Sequence, residues 1–147
     1  MPRFKFRLEA ALRLAARNLE EQQRLLALEL EKLFSLQARC REQEKTWQLA
    51  LEGQQEAGMN SPQDLGRWQT FARKQLELLR LIERETLQQA QVVEQQRQRL
   101  LEAHQEAEKL KKLKEKQKAQ YDLTEQRREQ AILDEAGQVI FRRRNLE

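Results

Sequence analysis

The sequence has little of what bends, staples or crowds a chain. Its 147 residues include 4 Gly, 2 Pro and 1 Cys. The lone Cys40 excludes an internal disulfide and suits a reducing cytoplasm. Aromatics are scarce, at 2 Trp, 1 Tyr and 5 Phe, and the apolar fraction of 39% falls below the usual ~45–50%. A thick core around a catalytic pocket is therefore not expected. Unbroken apolar runs last only a few residues, far short of the ~18–20 needed to span a bilayer. Arg3, Lys5 and Arg7 near the start are followed by no apolar segment, so no secretory signal is expected.

Chemistry is equally thin. The one histidine, His104, falls beside a helical seam and reads as a solvated side chain, and Cys40 falls on a seam and reads as a small core hydrophobe. There is no glycine-rich phosphate loop, no Cys or His pair at metal spacing and no Ser-His-Asp set. Carboxylates are plentiful, but on a thin pair of helices they stay wet and keep the ordinary pKa values that acid–base catalysis must shift. We expect no enzyme, no cofactor and no metal.

What is present favours helix. Charged residues make up 35% of the chain and 22 residues are Gln, so the polar remainder is rich in helix formers and poor in loop formers. From Leu12 the positions Leu12, Ala16, Leu19, Gln23, Leu26, Leu30, Leu33, Gln37, Cys40, Glu44, Trp47 and Leu51 step by 4, 3, 4, 3. A sustained 3.5-residue period is a coiled-coil seam. Gln23, Gln37 and Glu44 would weaken it and fix its register. A second seam steps through Leu65, Trp68, Ala72, Gln75, Leu79, Ile82, Thr86, Gln89, Val93, Gln96, Leu100, Ala103, Ala107 and Leu110, then turns polar. Between them lie Gly53, Gly58, Asn60, Ser61, Pro62 and Gly66. Within that stretch Ser61 reads as an N-cap, Pro62 as the first helical residue and Asp64 as an acid facing free amides.

The expected fold is all-α: one coiled-coil domain, residues 1–147, forming a long antiparallel two-helix hairpin. Helix one should cover about 8–52, the turn 53–61 and helix two about 62–141. Leu8 then falls opposite Ala107 or Glu108, and the C-terminal helix overhangs from about 109. Residues 1–108 hold 17 basic and 17 acidic side chains, while 109–147 hold 11 and 7, so the net charge of +4 lies in the overhang. Lys109, Lys111, Lys112, Lys114, Lys116 and Lys118 face only Glu115 in that run, with Arg127 and Arg128 beyond. Such clustering suggests an acidic partner. Nucleic acid fits poorly, because Glu115, Asp122, Glu125 and Glu129 interrupt the run and no parallel zipper follows it. A membrane-surface helix fits no better, with only Leu110 and Leu113 apolar among the lysines.

Apolar residues off the seams mark candidate contacts. Ile132, Leu133, Ala136, Val139 and Ile140 have no first helix opposite them and are expected to meet another protein. Phe71, Leu78 and Leu81, with Leu49 off the seam of helix one and Trp47 and Trp68 beneath, either widen the seam near the turn or form an exposed docking patch.

Over essentially its whole length the chain resembles the FliJ family of flagellar export proteins. Phe4-Lys5-Phe6-Arg7-Leu8-Glu9 with Leu12 and Leu14 is similar to the family's opening. Leu101-Glu102-Ala103, Glu108-Lys109-Leu110, Lys114-Glu115-Lys116 and Tyr121 resemble its middle segment, and Glu129-Gln130 with Leu133-Asp134-Glu135-Ala136 its close. Ala10-Ala11 stands where a Pro-containing pair is common. The resemblance implies a non-enzymatic, central-stalk-like coiled coil of the flagellar type III export apparatus, needed for flagellum assembly, motility and chemotaxis. It implies three partners: the flagellar export ATPase, a membrane export-gate protein and export chaperones. It also implies a cytoplasmic position, peripheral to the inner membrane at the flagellar base. On that footing Lys109, Lys111, Lys112, Lys114, Lys116, Arg127 and Arg128 would steer the ATPase contact, and Ile132, Leu133 and Val139 would anchor it. Trp47, Phe71, Leu78 and Leu81 would meet the export gate or a chaperone. The alternatives are the stalk protein of a virulence type III secretion system and a generic coiled-coil scaffold.

Overall fold

Proline 62 ends the first helix, and the glycines before it do not. In the computed structural model, which describes residues 3–146, helix α1 runs Glu9–Asn60 and helix α2 runs Leu65–Leu146, joined by a single 3-10 turn at Pro62–Asp64. The two helices pack against each other, and there is no strand among the described residues. The chain is thus an all-α helical hairpin.

The expected turn at 53–61 is corrected by this arrangement. A helical glycine costs about 1 kcal/mol relative to alanine, which the packing of the flanking turns outweighs: Ala50 and Ala57, on either side of Gly53, are both buried. Pro62 cannot be accommodated in the same way, because its ring disfavours helical geometry at the preceding residue. Ser61 accordingly leaves the helix at φ −144°, ψ 68°, while its N–H still donates to the Ala57 carbonyl at 2.9 Å. Ser61 takes the expected N-cap position, but its side chain makes no capping bond. Helix two likewise continues past 141, to Leu146.

Contacts divide the chain into two compact units, one of residues 20–102 and one combining 1–19 with 103–147. In the first unit the core is a ladder of small and branched side chains: Ala50, Ala57, Ala72, Leu79, Ile82 and Val93. Helix two buries the expected columns. Helix one buries one of them, Leu19, Leu26, Leu33, Cys40 and Trp47, all partly covered. The other is displaced by one residue: Gln22, Glu29, Leu36, Gln43, Ala50 and Ala57 face inward, whereas Gln23, Gln37, Glu44 and Leu51 are exposed.

The displaced column is polar for a reason visible in its bonds. Gln43 Nε2 donates to the Gln75 carbonyl (3.0 Å) and to its Oε1 (2.7 Å). Gln89 Nε2 donates to the Glu29 carbonyl (2.9 Å) and to its Oε2 (2.6 Å). Gln96 Nε2 donates to the Gln22 carbonyl (3.2 Å) and to its Oε1 (2.6 Å). Each amide grips one partner residue twice, and in all three pairs the residue numbers add to 118. Gln96 is 5% exposed, and burial of so polar a group is tolerated only when it is bonded.

In the second unit the chain before α1 is not helical. Residues 3–6 carry no regular secondary structure, Phe6 is buried, and Arg3, Lys5 and Arg7 face out. The Phe4 ring lies 5.5 Å from that of Tyr121, centroid to centroid, and Glu9 pairs with Lys114 at 2.9 Å. The overhang expected from about 109 is therefore corrected. Leu110, Leu113, Lys114, Tyr121 and Glu125 are all partly covered, and unbroken exposure begins only at Gln126. A chain outside a helix is not held to the roughly 1.5 Å advance per residue of one, and the short arm reaches as far along α2 as Tyr121, where Phe4 lies.

Candidate partner-binding surfaces

Three surfaces carry the residues singled out from the sequence. The first is the exposed end of α2, where every residue from Gln126 to Leu146 is exposed. Ile132, Leu133 and Val139 are 59%, 65% and 48% exposed, and Ile140 is 56% exposed. Helical spacing of three, four and seven puts Ile132, Leu133, Ala136, Val139 and Ile140 on one stripe. An isolated helix of this kind buries nothing, and it rests on short-range pairs such as Arg128–Glu125 (3.4 Å) and Gln130–Asp134 (3.2 Å), each contributing a few tenths of a kcal/mol.

The second is the cationic surface of the same unit. Lys109, Lys111, Lys112 and Lys116 are exposed, as are Arg127 and Arg128. Lys114 differs, being half-covered and paired to Glu9. Against this run lies the N-terminal arm, which adds Arg3, Lys5 and Arg7 to the positive field. Sequence reasoning missed the device that holds those three cations beside the lysines. The signal was the alternation Arg3-Phe4-Lys5-Phe6-Arg7-Leu8, in which Phe4 and Phe6 are covered while the three cations are exposed.

The third lies near the reversal, in the unit of residues 20–102. Phe71, Leu78 and Leu81 are 42%, 46% and 47% exposed, and Leu49 is exposed on α1, while Trp47 is only partly exposed. The Phe71 ring stands edge-on to Trp68, with centroids 6.0 Å apart and planes at 80°, a favourable aromatic geometry. A cleft of about 450 Å³ lies among Asp64, Arg67, Trp68 and Phe71. The Trp68 indole reaches across to α1 because Gly53 has no side chain. A Cβ added there would fall 2.5 Å from Cε3 and 2.6 Å from Cη2 of the ring. The close approach requires glycine.

Electrostatics beyond these surfaces are mild. The hydrogen bond from Gln89 holds the Glu29 carboxyl below its usual range, with Lys32 adding to the effect. Arg24 lowers Glu21 in the same way, chiefly through its hydrogen bond. Cys40 is half-buried and His104 exposed. Among the described residues no group of three or more His, Cys, Asp or Glu side chains is placed to hold a metal, and no helix is long and apolar enough to cross a membrane.

A family model described as "Flagellar FliJ protein" matches residues 7–146. No curated protein matches the chain. No solved structure matches it either.

Proposed function

The chain belongs to the flagellar FliJ family and is a component of the flagellar export apparatus; from that premise we propose that it serves as the stalk of the export ATPase ring and links it to the membrane export gate. The family is a non-catalytic export component, which suits a chain that offers surfaces rather than a reaction pocket. The observation that carries the reading is the exposed end of α2, where an apolar stripe without a facing helix follows a lysine-rich run.

In this reading Lys109, Lys111, Lys112, Lys116, Arg127 and Arg128, aided by the arm's Arg3, Lys5 and Arg7, steer the stalk toward an acidic ring lumen. Ile132, Leu133 and Val139 provide the apolar anchorage. Lys114 contributes less, because its ammonium is already paired to Glu9. Phe71, Leu78 and Leu81 bind the export gate or a chaperone through the surface near the reversal, with Trp47 as their support. The protein works at the cytoplasmic face of the inner membrane at the flagellar base.

The test is ATP hydrolysis and ring formation by the cognate export ATPase, with the full-length chain and two variants. Ile132→Asp/Val139→Asp should abolish stimulation at every salt concentration. Leu78→Asp/Leu81→Asp should leave stimulation intact and lose binding to the export gate. Equal stimulation by the wild type and Ile132→Asp/Val139→Asp, with both shown to be helical, would rule out the anchorage.

A further inference from the structure

The stripe at the end of α2 reads the same in both directions, and from this we infer that the protein pairs with a second copy of itself through residues 126–146, antiparallel, about a twofold axis at Ala136. At roughly 100° per residue, Ile132, Leu133, Val139 and Ile140 lie within about 60° of Ala136 around the helix. They are spaced three and four residues to either side of it. Seven residues before Ala136 stands Glu129 and seven after stands Arg143, both within about 20° of it on the same stripe. An antiparallel copy centred there sets Ile132 against Ile140, Leu133 against Val139, and Glu129 against Arg143, each pair formed twice. Such self-complementarity is what an isologous interface requires.

Charge decides the direction. A parallel copy in register would set Glu129 on Glu129 and Arg143 on Arg143, whereas the antiparallel copy matches opposite signs at both ends. Within residues 126–146 the one like-charged meeting in the antiparallel pair is Arg128 with Arg144 of the second copy. It falls roughly 80° from the centre line, at the wet margin, and Arg128 is already held by its own Glu125 at 3.4 Å. At the axis stand Ala136 and, beside it, Gly137, which has open space around it, so the backbones can approach closely. The patch is one short stripe and does not reach the ~1,200–2,000 Å² of a stable interface, so the pair is concentration-dependent. The inference does not rest on the ATPase reading, although any partner that takes the same stripe must displace the second copy.

The experiment is sedimentation of the full chain across a concentration series with three sets of variants. The weight-average mass should climb from the monomer value of 17.6 kDa toward twice that between about 1 µM and a few hundred µM, the range of a weak, small interface. Ala136→Arg should hold it at the monomer value. Glu129→Arg should weaken association tenfold or more, and Glu129→Arg/Arg143→Glu should restore it. With Cys40→Ser as background, Glu129→Cys and Arg143→Cys should cross-link to each other when mixed and neither to itself. A mass fixed at 17.6 kDa over the whole range overturns the inference. So does a dimer indifferent to Ala136→Arg, a charge swap without rescue, or self-cross-linking of the single-cysteine variants. Circular dichroism on each variant separates loss of pairing from loss of helix.

Discussion

Replacing Gly53 with alanine should destabilise the hairpin, although helix propensity alone says the reverse. In a helix interior Gly→Ala is ordinarily worth about 1 kcal/mol of added stability. Here the new methyl would fall 2.5–2.6 Å from two atoms of the Trp68 ring, and a rigid indole cannot yield as a flexible chain end would. The ring must swing away. Trp68 is 37% exposed, so well over half of its surface is covered, and a buried aromatic typically hides 150–250 Å². Losing ~100 Å² of that burial at about 25 cal/mol per Å² costs roughly 2.5 kcal/mol. The net is ~1.5 kcal/mol of destabilisation, which lowers Tm by about 3–6 °C for a chain of this size. The assay is thermal unfolding by circular dichroism on four proteins: wild type, Gly53→Ala, Trp68→Ala and the double variant. In the Trp68→Ala background the methyl has room, so Gly53→Ala should then raise Tm by about 2–4 °C. Gly58→Ala is the control, since its Cβ would meet only Leu65 Cδ1 at an ordinary 3.8 Å, and it should stabilise in either background. If Gly53→Ala raised Tm as much as Gly58→Ala in the wild-type background, the seating of the indole on Gly53 would be refuted.

Other perturbations address the remaining contacts. Phe6→Ala should free the N-terminal arm, since that ring is its buried anchor; trypsin cleavage after Lys5 and Arg7 should quicken at least tenfold, as for a loss of 1.4 kcal/mol or more, and unchanged cleavage would mean the arm is not held by it. Glu29 has its folded pKa lowered by the Gln89 bond. Its contribution is therefore present above the ordinary carboxylate value of 4.5 and lost as pH falls through the lowered one. Glu29→Gln should thus lose less stability than wild type between pH 7 and about 3 in urea titrations, and identical losses would remove Glu29 from the account. Lys111→Glu/Lys112→Glu should slow association with the export ATPase at low salt and matter little near 0.5 M, where the Debye length is only a few Å; an effect independent of salt would point away from steering.

The hairpin was legible because its causes are periodic. The apolar columns of α2 are strict enough to be read directly, and Pro62 announces where a new helix starts. One column of α1 was misread by a single residue. Leucines at Leu30 and Leu51 drew attention to the wrong stripe, while the true one holds Gln22, Glu29 and Gln43. Such residues look like surface until their partners on α2 are known. The glycines misled for the opposite reason: Gly53 looks like a turn residue, yet it serves a tryptophan on the other helix. The arm escaped because its two-residue period is only six residues long. Of the candidate surfaces, the apolar stripe at the end of α2 could be recognised as exposed, since no segment of α1 remains to face it. The pairing of Lys114 with Glu9 could not, because it depends on where the register falls.

The three glutamine forks have a consequence for how the helices can move along one another. A seam of leucines is nearly the same after a slide of one heptad, so it permits creeping. The forks sit at intervals of two heptads and then one, with Leu36 and Ile82 at the position skipped. Sliding one way would leave Gln96 beside Glu29, but would set Gln89 against Leu36 and Gln43 against Ile82. Sliding the other way would leave Gln89 beside Gln22, but would strand Gln96 against Ala15 and Glu29 against Ile82. Either step breaks most of the doubled bonds and buries amides against hydrocarbon, at a cost of about 1–3 kcal/mol for each stranded group. The uneven spacing works like the cuts of a key: the two helices fit at one setting, and neighbouring settings are barred.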